Sequence, residues 1–177
     1  MEKTLHHAVE SAPDSLANGH MPSSLAQLLL DRCHESFERP AIIDAITGET
    51  LCWGQLLQQS IRVAERIEAA GLKSGDRVIH IGPHTAAWPI VDFACLLSGV
   101  VHVALHAEDS QSEQNHHLQL FQPRGLIFSG GISHQRASQR ELPLLEVQAD
   151  WRANDVPHAL VCRCITERVR KCDPDGP

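Results

Sequence analysis

Hydrophobic positions between residues 50 and 105 follow two alternating periods, which predict a repeating order of strands and helices. Over residues 54–70, apolar side chains recur at steps of three and four, so one face of a helix is apolar. The residues on this face are Leu56, Leu57, Ile61, Val63, Ala64, Ile67 and Ala70. Gly71 then supplies the left-handed residue that commonly ends a helix. Residues 78–81 form a short β-branched run that predicts a strand, and the Gly-Pro pair after it ends the strand.

A second helix and a third strand complete this central stretch. The helix is predicted over residues 85–97, with Thr85 as its N-cap and Pro89 tolerated because it falls in the first turn. The Ser-Gly pair that follows ends the helix, and residues 100–105 are apolar enough for a strand covered on both faces. Helices of this length between strands imply parallel pairing through right-handed crossovers.

The preceding residues predict a helix and a hairpin. Ser23 or Ser24 caps the helix. Its apolar side carries Leu25, Leu28 and Leu29. Residues 41–44 and 49–52 read as short strands, and the Thr-Gly pair between them predicts the hairpin turn.

A third helix of the repeating order is predicted after the central stretch. Residues 106–111 form a polar loop, and Ser110 and Glu113 have the spacing of a capping box. The helix that they start runs through Phe121, and Pro123 ends it.

The last part of the pattern contains two short strands. Residues 125–128 and 144–147 are apolar, whereas the segment 129–141 between them is polar and expected to be mobile. Because strands and helices alternate throughout, we predict an α/β fold, a mostly parallel layered sheet with helices on both faces.

Composition limits the classes of protein that remain. The length of 177 residues and the 42% hydrophobic content are those of one soluble globular domain. A net charge of −7 argues against nucleic-acid binding, which needs a basic face, but a local Gly-rich loop can still hold a nucleotide. No segment has the apolar length of a signal peptide or a transmembrane helix, so we expect a cytoplasmic protein. In that compartment the six cysteines are expected to be reduced thiols.

Three stretches, in order, resemble N-terminal landmarks of the adenylate-forming enzymes. They are residues 50–56 (TLCWGQL), residues 71–78 (GLKSGDRV) and residues 96–105 (LLSGVVHVAL). This superfamily includes acyl- and aryl-CoA synthetases, luciferase and the adenylation domains of peptide synthetases. The order and spacing of the landmarks also match, over roughly residues 40–150.

The chain also departs from the pattern of this family. His84 stands where the family usually has Asn, and His102 and Ala104 stand where it has Tyr and Pro. The chain contains no Tyr at all. These differences leave the class of acyl substrate open.

The resemblance implies an ATP-dependent acid–thiol ligase that adenylates a carboxylic acid, a fatty or related one, and transfers the acyl group to coenzyme A. ATP, Mg and CoA are the cofactors that it implies for a full-length member. The family's phosphate loop is rich in Ser, Thr and Gly and closes on Pro-Lys. Residues 155–161 resemble the approach to that loop, but residues 162–171 do not contain it. We therefore predict a truncated member that is inactive alone and holds no cofactor.

The chain is expected to consist of three segments. We predict a flexible lead-in over residues 1–22, the α/β N-terminal subdomain over residues 23–150 and an atypical tail over residues 151–177. A frameshift or a premature end would explain the tail, and reading the other two frames of the gene past Val161 tests this hypothesis.

No residue is assigned a catalytic, cofactor-binding or metal-binding role, although the twelve histidines make a metal site worth testing. His102 and His106 are four residues apart on a strand, which separates them by roughly 13 Å, too far to share one ion. His80 and His84 flank the Gly-Pro turn and could converge. The pattern favours surface or packed histidines over a ligand set. Stoichiometric zinc in purified protein would contradict this interpretation.

Other candidate groups are interpreted as structural. Ser129 and the two glycines after it favour a plain turn over a phosphate loop. Cys95 is expected to be a buried small hydrophobe, and the pair at residues 76–77 a turn residue with a solvated neighbour. Trp53 and Trp88 are expected to pack helices onto the sheet.

A non-catalytic function is the alternative. An incomplete sheet edge and exposed apolar helix faces would let such a chain associate with itself or with a partner protein. Pyrophosphate release is expected to be absent in either case, whereas a defined, concentration-dependent oligomer would support the alternative. A stand-alone nucleotide binder is a third hypothesis, and it requires a phosphate loop that the sequence lacks.

Overall fold

The computed structural model describes residues 24–45, 48–130 and 142–147. The helices in these ranges are α1 (Leu25–Glu35), α2 (Trp53–Ala69), α3 (Ala87–Ser98) and α4 (Gln111–Phe121). The strands are β1 (Pro40–Ile43), β2 (Thr50–Cys52), β3 (Arg77–Gly82), β4 (Val101–His106), β5 (Gly125–Ser129) and β6 (Leu144–Val147). The predicted elements in these ranges are therefore confirmed, with ends shifted by one or two residues.

The main sheet has the strand order β4-β3-β5-β6, and all of its pairs are parallel. Ile79 of β3 pairs with Val103 of β4 on one side and with Leu126 of β5 on the other. The predicted parallel pairing is thus confirmed. Strands β1 and β2 form a separate antiparallel hairpin, also as predicted.

Helices cover both faces of the main sheet, as the α/β prediction requires. On one face, the apolar sides of α1, α2 and α3 pack around Val78 and Ile127. On the other face, Leu118 and Phe121 of α4 pack against a second cluster of strand residues. That cluster consists of Ile79, Ile81, Leu105, Leu126 and Phe128. Successive strand residues enter opposite clusters because side chains alternate between the faces of a sheet.

Helix α2 forms the largest part of the first cluster. Its predicted apolar face is buried except at Ala70, the C-cap, which is half-buried. Leu57, Ala64 and Ile67 are fully inaccessible to solvent. Since burial of a large aliphatic side chain contributes about 1.5–3 kcal/mol, this packing rather than helix propensity holds α2 in place.

The predicted apolar side of α1 is wrong at one position. Leu25 is 68% exposed, although it was expected to share a side with Leu28 and Leu29. The buried stripe of α1 consists of Ala26, Leu29, Leu30 and Cys33. Leu25 precedes this i, i+3, i+4, i+7 stripe by one position, so it lies at the edge of the packed face. The predicted cap is confirmed at Ser24, whose side chain accepts from the Gln27 amide.

The predicted N-cap of α3 is also wrong. The helix begins at Ala87, and Ala86 occupies the N-cap position without a side-chain hydrogen bond. Thr85 lies one residue earlier, and its hydroxyl accepts from the Ala87 amide at 3.3 Å. The predicted start of α3 is too early because the Thr85 side chain stabilises the turn that precedes the helix. Pro89 remains in the first turn, as predicted.

The prediction that β4 is covered on both faces is contradicted. Strand β5 returns to pair with β3, so β4 lies at an edge of the described sheet. Leu105 is the only buried residue of β4, and Val101 is 48% exposed. A continuous apolar run predicts a strand but does not determine its place in the sheet, which the route of later strands decides.

Several sequence predictions fall outside the described residues. The lead-in over residues 1–22, the polar segment after Gly130 and the tail over residues 151–177 are among them, so the predicted domain boundaries stay predictions. Within the described ranges, Cys33, Cys52 and Cys95 are free thiols. In the same ranges, no helix combines the length and the apolarity that crossing a membrane requires.

Candidate functional site

The carboxyl ends of β3, β4 and β5 meet at one edge of the sheet, where open α/β sheets bind their ligands. Four imidazoles and an indole run from this edge along one face of the sheet, with His84, His106 and Trp88 at the edge, His80 inside β3 and His102 near the start of β4. We call them the histidine cluster: His80, His84, His102, His106 and Trp88. The parallel register produces the cluster, since it places Val78 beside His102 and Gly82 beside His106.

One half of the cluster is a hydrogen-bonded chain that runs from the interior to the surface. Ser129 Oγ lies 2.9 Å from His80 Nε2, and both residues are fully buried. His80 Nδ1 lies 3.4 Å from His102 Nε2. His102 Nδ1 in turn lies 2.9 Å from an Asp92 carboxylate oxygen on α3. Asp92 is 63% exposed, so the chain links a buried hydroxyl to a carboxylate in water.

The carboxylate at the outer end fixes the direction of donation along this chain. Asp92 only accepts, so His102 donates from Nδ1, and in an uncharged His102 ring Nε2 accepts. His80 must then donate from Nδ1 to His102 and accept at Nε2. The Ser129 hydroxyl therefore donates to His80 Nε2.

The environment keeps the inner imidazole uncharged. Burial, and secondarily the neighbouring His102, lower the pKa of His80 from 6.5 to about 3. His80 is therefore neutral at physiological pH, which agrees with its role as an acceptor from Ser129. Because Ser129 is inaccessible to solvent, this arrangement does not present a nucleophile to a substrate.

The other half of the cluster is an exposed pair of imidazoles. His84, two residues after β3, and His106, the last residue of β4, bring their Nε2 atoms to 3.3 Å from each other. Trp88 packs against both, with ring centroids 4.3 Å from His84 and 5.9 Å from His106. The indole N–H donates to the Gly82 carbonyl at 3.3 Å, which fixes the ring that supports the pair.

The histidines that lie four residues apart along the chain have different partners in the structure. His80 and His84 do not converge on one point, because His80 joins the inner chain and His84 the outer pair. His102 and His106 likewise take different partners, in agreement with the predicted distance along a strand. Sequence reasoning missed the pairing across strands. The signal was present in the sequence. One pair of histidines four residues apart lies on or just after β3, a second such pair lies on β4, and the two strands pair in parallel.

The remaining candidates have structural roles. Asp76 accepts from the Lys73 amide at 2.8 Å and closes the turn before β3, and Arg77 donates to the Phe121 carbonyl. Cys95 is buried, as expected, and burial raises its pKa to about 12. Trp53 packs on the first core cluster as predicted, whereas Trp88 mainly supports the histidine cluster.

A family model described as AMP-binding enzyme matches residues 29–169, which is most of the chain and includes the histidine cluster. The chain belongs to the AMP-binding enzyme family. The resemblance to adenylate-forming enzymes at the three landmarks is thereby confirmed.

Individual members of the AMP-binding enzyme family are similar over part of their length. The fatty acid--[acyl-carrier-protein] ligase ScoC of Streptomyces coeruleorubidus is 36% identical over 80 residues, which cover 45% of this chain and 15% of the ligase. A mitochondrial medium-chain acyl-CoA ligase of Macaca fascicularis is 25% identical over 168 residues, 92% of this chain and 26% of that protein. The chain thus spans about a quarter or less of these curated relatives.

A solved member has the same fold. The O-succinylbenzoate coenzyme A synthetase of Bacillus subtilis, in a complex with ATP and magnesium, superimposes with a TM-score of 0.61 at 22% identity. The match covers 73% of this chain and 34% of the synthetase.

The described residues do not fit the triphosphate of ATP. At the carboxyl edge they present imidazoles, an indole and a buried hydroxyl that is already bonded to His80. The cations next to the central strands, Arg77 and Arg124, stand at the opposite ends, where β3 and β5 begin. A phosphate site needs converging backbone N–H groups and a fixed positive charge. A triphosphate would therefore need residues other than the described ones of this chain.

Proposed function

We propose that this chain is part of an ATP-dependent ligase that activates a carboxylic acid as its acyl-adenylate and then transfers the acyl group to a thiol. The match to the AMP-binding enzyme family over residues 29–169 carries this proposal. The parallel sheet, covered by helices on both faces, and the three landmarks along the chain support it.

The acyl group in this proposal is a fatty or related acid, and the thiol is that of coenzyme A. The name of the Macaca protein, a medium-chain acyl-CoA ligase, supports both parts of this choice. The name of ScoC supports the fatty acid only, since its acceptor is an acyl-carrier protein. A cytoplasmic location and the absence of nucleic-acid binding stay predictions.

We further propose that the 177-residue chain does not adenylate acids by itself. No Ser/Thr/Gly-rich loop that closes on Pro-Lys occurs anywhere in the sequence, and the described edge of the sheet does not fit a triphosphate. The interpretation of residues 151–177 as an atypical tail also stays a prediction, and the family match extends into this segment as far as residue 169.

Fragment complementation tests both statements. The chain is assayed with ATP, magnesium and a series of fatty acids, and acyl-adenylate is trapped with hydroxylamine. The assay is repeated with the separately expressed remainder of a similar ligase, beginning after the aligned segment. We expect acyl hydroxamate only when both pieces are present and co-elute. Product from the chain alone would contradict its inactivity, and a co-eluting but inactive pair would contradict the ligase.

Self-association through the edge of the sheet is the second candidate function. Within the described residues, β4 pairs on one side only, and Val101 is 48% exposed there. Light scattering should show an oligomer that Val101→Lys dissociates. Leu120→Lys, at a residue 62% exposed on α4, is the matched control and should leave the oligomer intact. A monomer at all concentrations would exclude this function.

A further inference from the structure

The Nε2–Nε2 separation in the exposed pair of the histidine cluster matches that of two ligands on one metal ion, and a small turn of the rings, whose centroids lie 4.5 Å apart, aims both nitrogens at it. Two ligands bound to a tetrahedral zinc ion at 2.0–2.1 Å lie about 3.3–3.4 Å apart. The Nε2 atoms of His84 and His106 are separated by 3.3 Å. At the right angle of a square-planar metal the separation would be about 2.9 Å, so the tetrahedral geometry fits better.

The scaffold holds this spacing before any metal arrives. His106 ends β4, and its backbone pairs in register with Gly82, two residues before His84. Trp88 packs against the His84 ring and is itself fixed by its bond to the Gly82 carbonyl. Ordering two free imidazoles costs conformational entropy, and this cost is smaller here because the sheet fixes the backbone of His106 and the indole packs against the His84 ring.

The surroundings admit a hydrated cation. Both imidazoles are exposed, so a metal and its remaining ligands can reach them from solvent. A chain with net charge −7 attracts cations rather than repelling them. Among the described residues no group of three or more metal-ligating side chains converges. Two coordination positions would therefore remain for water or for another ligand.

We propose that His84 and His106 form a two-imidazole site for a tetrahedral divalent transition metal of the zinc type at the rim of the sheet. Each ring binds the metal through Nε2, and the two remaining positions are open to exchangeable ligands. This site departs from the interpretation of the sequence, which favoured surface or packed histidines.

Metal titration of the full chain tests the proposal. Cobalt(II) reports tetrahedral coordination through its visible absorption, and zinc competes for the same site. We expect one equivalent of cobalt with tetrahedral bands, displaced by zinc, and an affinity at least about tenfold weaker, or about 1.4 kcal/mol, in His84→Gln and in His106→Gln. Circular dichroism of the same samples shows that the variants are folded.

A second histidine pair supplies the matched control. His116 and His117 are adjacent on α4, and their ring centroids lie 5.9 Å apart. His116→Gln should bind cobalt and zinc like the parent chain. Tetrahedral binding that survives in the folded double variant His84→Gln/His106→Gln would assign the metal to other residues. Absence of tetrahedral binding in the parent chain would show that the pair is only a hydrogen bond. Either result overturns the proposal.

Discussion

His80 Nε2 lies 2.9 Å from Ser129 Oγ in the interior of the sheet, and neither side chain is accessible to solvent. The bond joins β3 to β5, and through His102 and Asp92 it extends to β4 and α3. Four elements of the fold are therefore connected by one series of polar contacts.

Removal of the buried hydroxyl should destabilise the chain. Ser129→Ala leaves His80 Nε2 without its donor in a site that water does not reach. An unsatisfied buried polar group costs about 1–3 kcal/mol, and the free energy of unfolding in urea should fall by that amount. Ser74→Ala is the control, because Ser74 donates to Gly99 at an exposed position and should lose little. Equal effects in both variants would contradict the buried bond.

Gly82 is required because of the same hydroxyl. A Cβ atom at this position would overlap Ser129 Oγ and press on His80 Nε2, so Gly82→Ala should destabilise the chain by about 1–3 kcal/mol. In the double variant Gly82→Ala/Ser129→Ala the worst overlap is absent. Its loss in stability should therefore be smaller than the sum of the two single losses. Strict additivity would show that the two residues do not interact.

Stability should depend on pH through His80. Its pKa is about 3 in the folded chain and 6.5 in the unfolded chain, so the unfolded state binds more protons between these values. The free energy of unfolding should therefore fall as the pH falls through this window, by up to about 1.4 kcal/mol per pH unit from this group. His80→Gln should lose this part of the dependence, whereas His116→Gln, at an exposed position, should keep it. An unchanged pH slope in His80→Gln would argue against a neutral buried imidazole.

Thiol reactivity should differ between the described cysteines. Burial, with the neighbouring Cys52 as a second cause, raises the pKa of Cys33 to about 12, and burial with Asp92 does the same for Cys95. Only the thiolate reacts, so iodoacetamide at pH 8 should label Cys33 and Cys95 far more slowly than the partly exposed Cys52. Mass spectrometry of tryptic peptides locates the label. Rapid modification of Cys95 in the folded chain would contradict the packing of α3.

Local pattern was enough to predict the elements and their parallel pairing. The period of the apolar residues defined α2, and the capping-box spacing of Ser110 and Glu113 located the start of α4. Both signals depend on residues within one or two turns of each other, so one sequence contains them in full.

The place of each strand in the sheet could not be predicted in this way. Val101 lies in an apolar run but is exposed, because β5 pairs with the far side of β3. The histidine cluster escaped prediction for the same reason. His80 and Ser129 are 49 residues apart, and only the parallel register brings them together. His84 and His106 meet across 22 residues by the same means.

The most direct test of this account is the order of the strands, since the cluster exists only if β3 lies between β4 and β5. Through-space NMR contacts in isotope-labelled chain measure it. We predict that Ile79 shows parallel-type backbone contacts to both Val103 and Leu126. Contacts from Ile79 to one strand alone, or the short Hα–Hα contacts of antiparallel pairs, would contradict the fold and the site built on it.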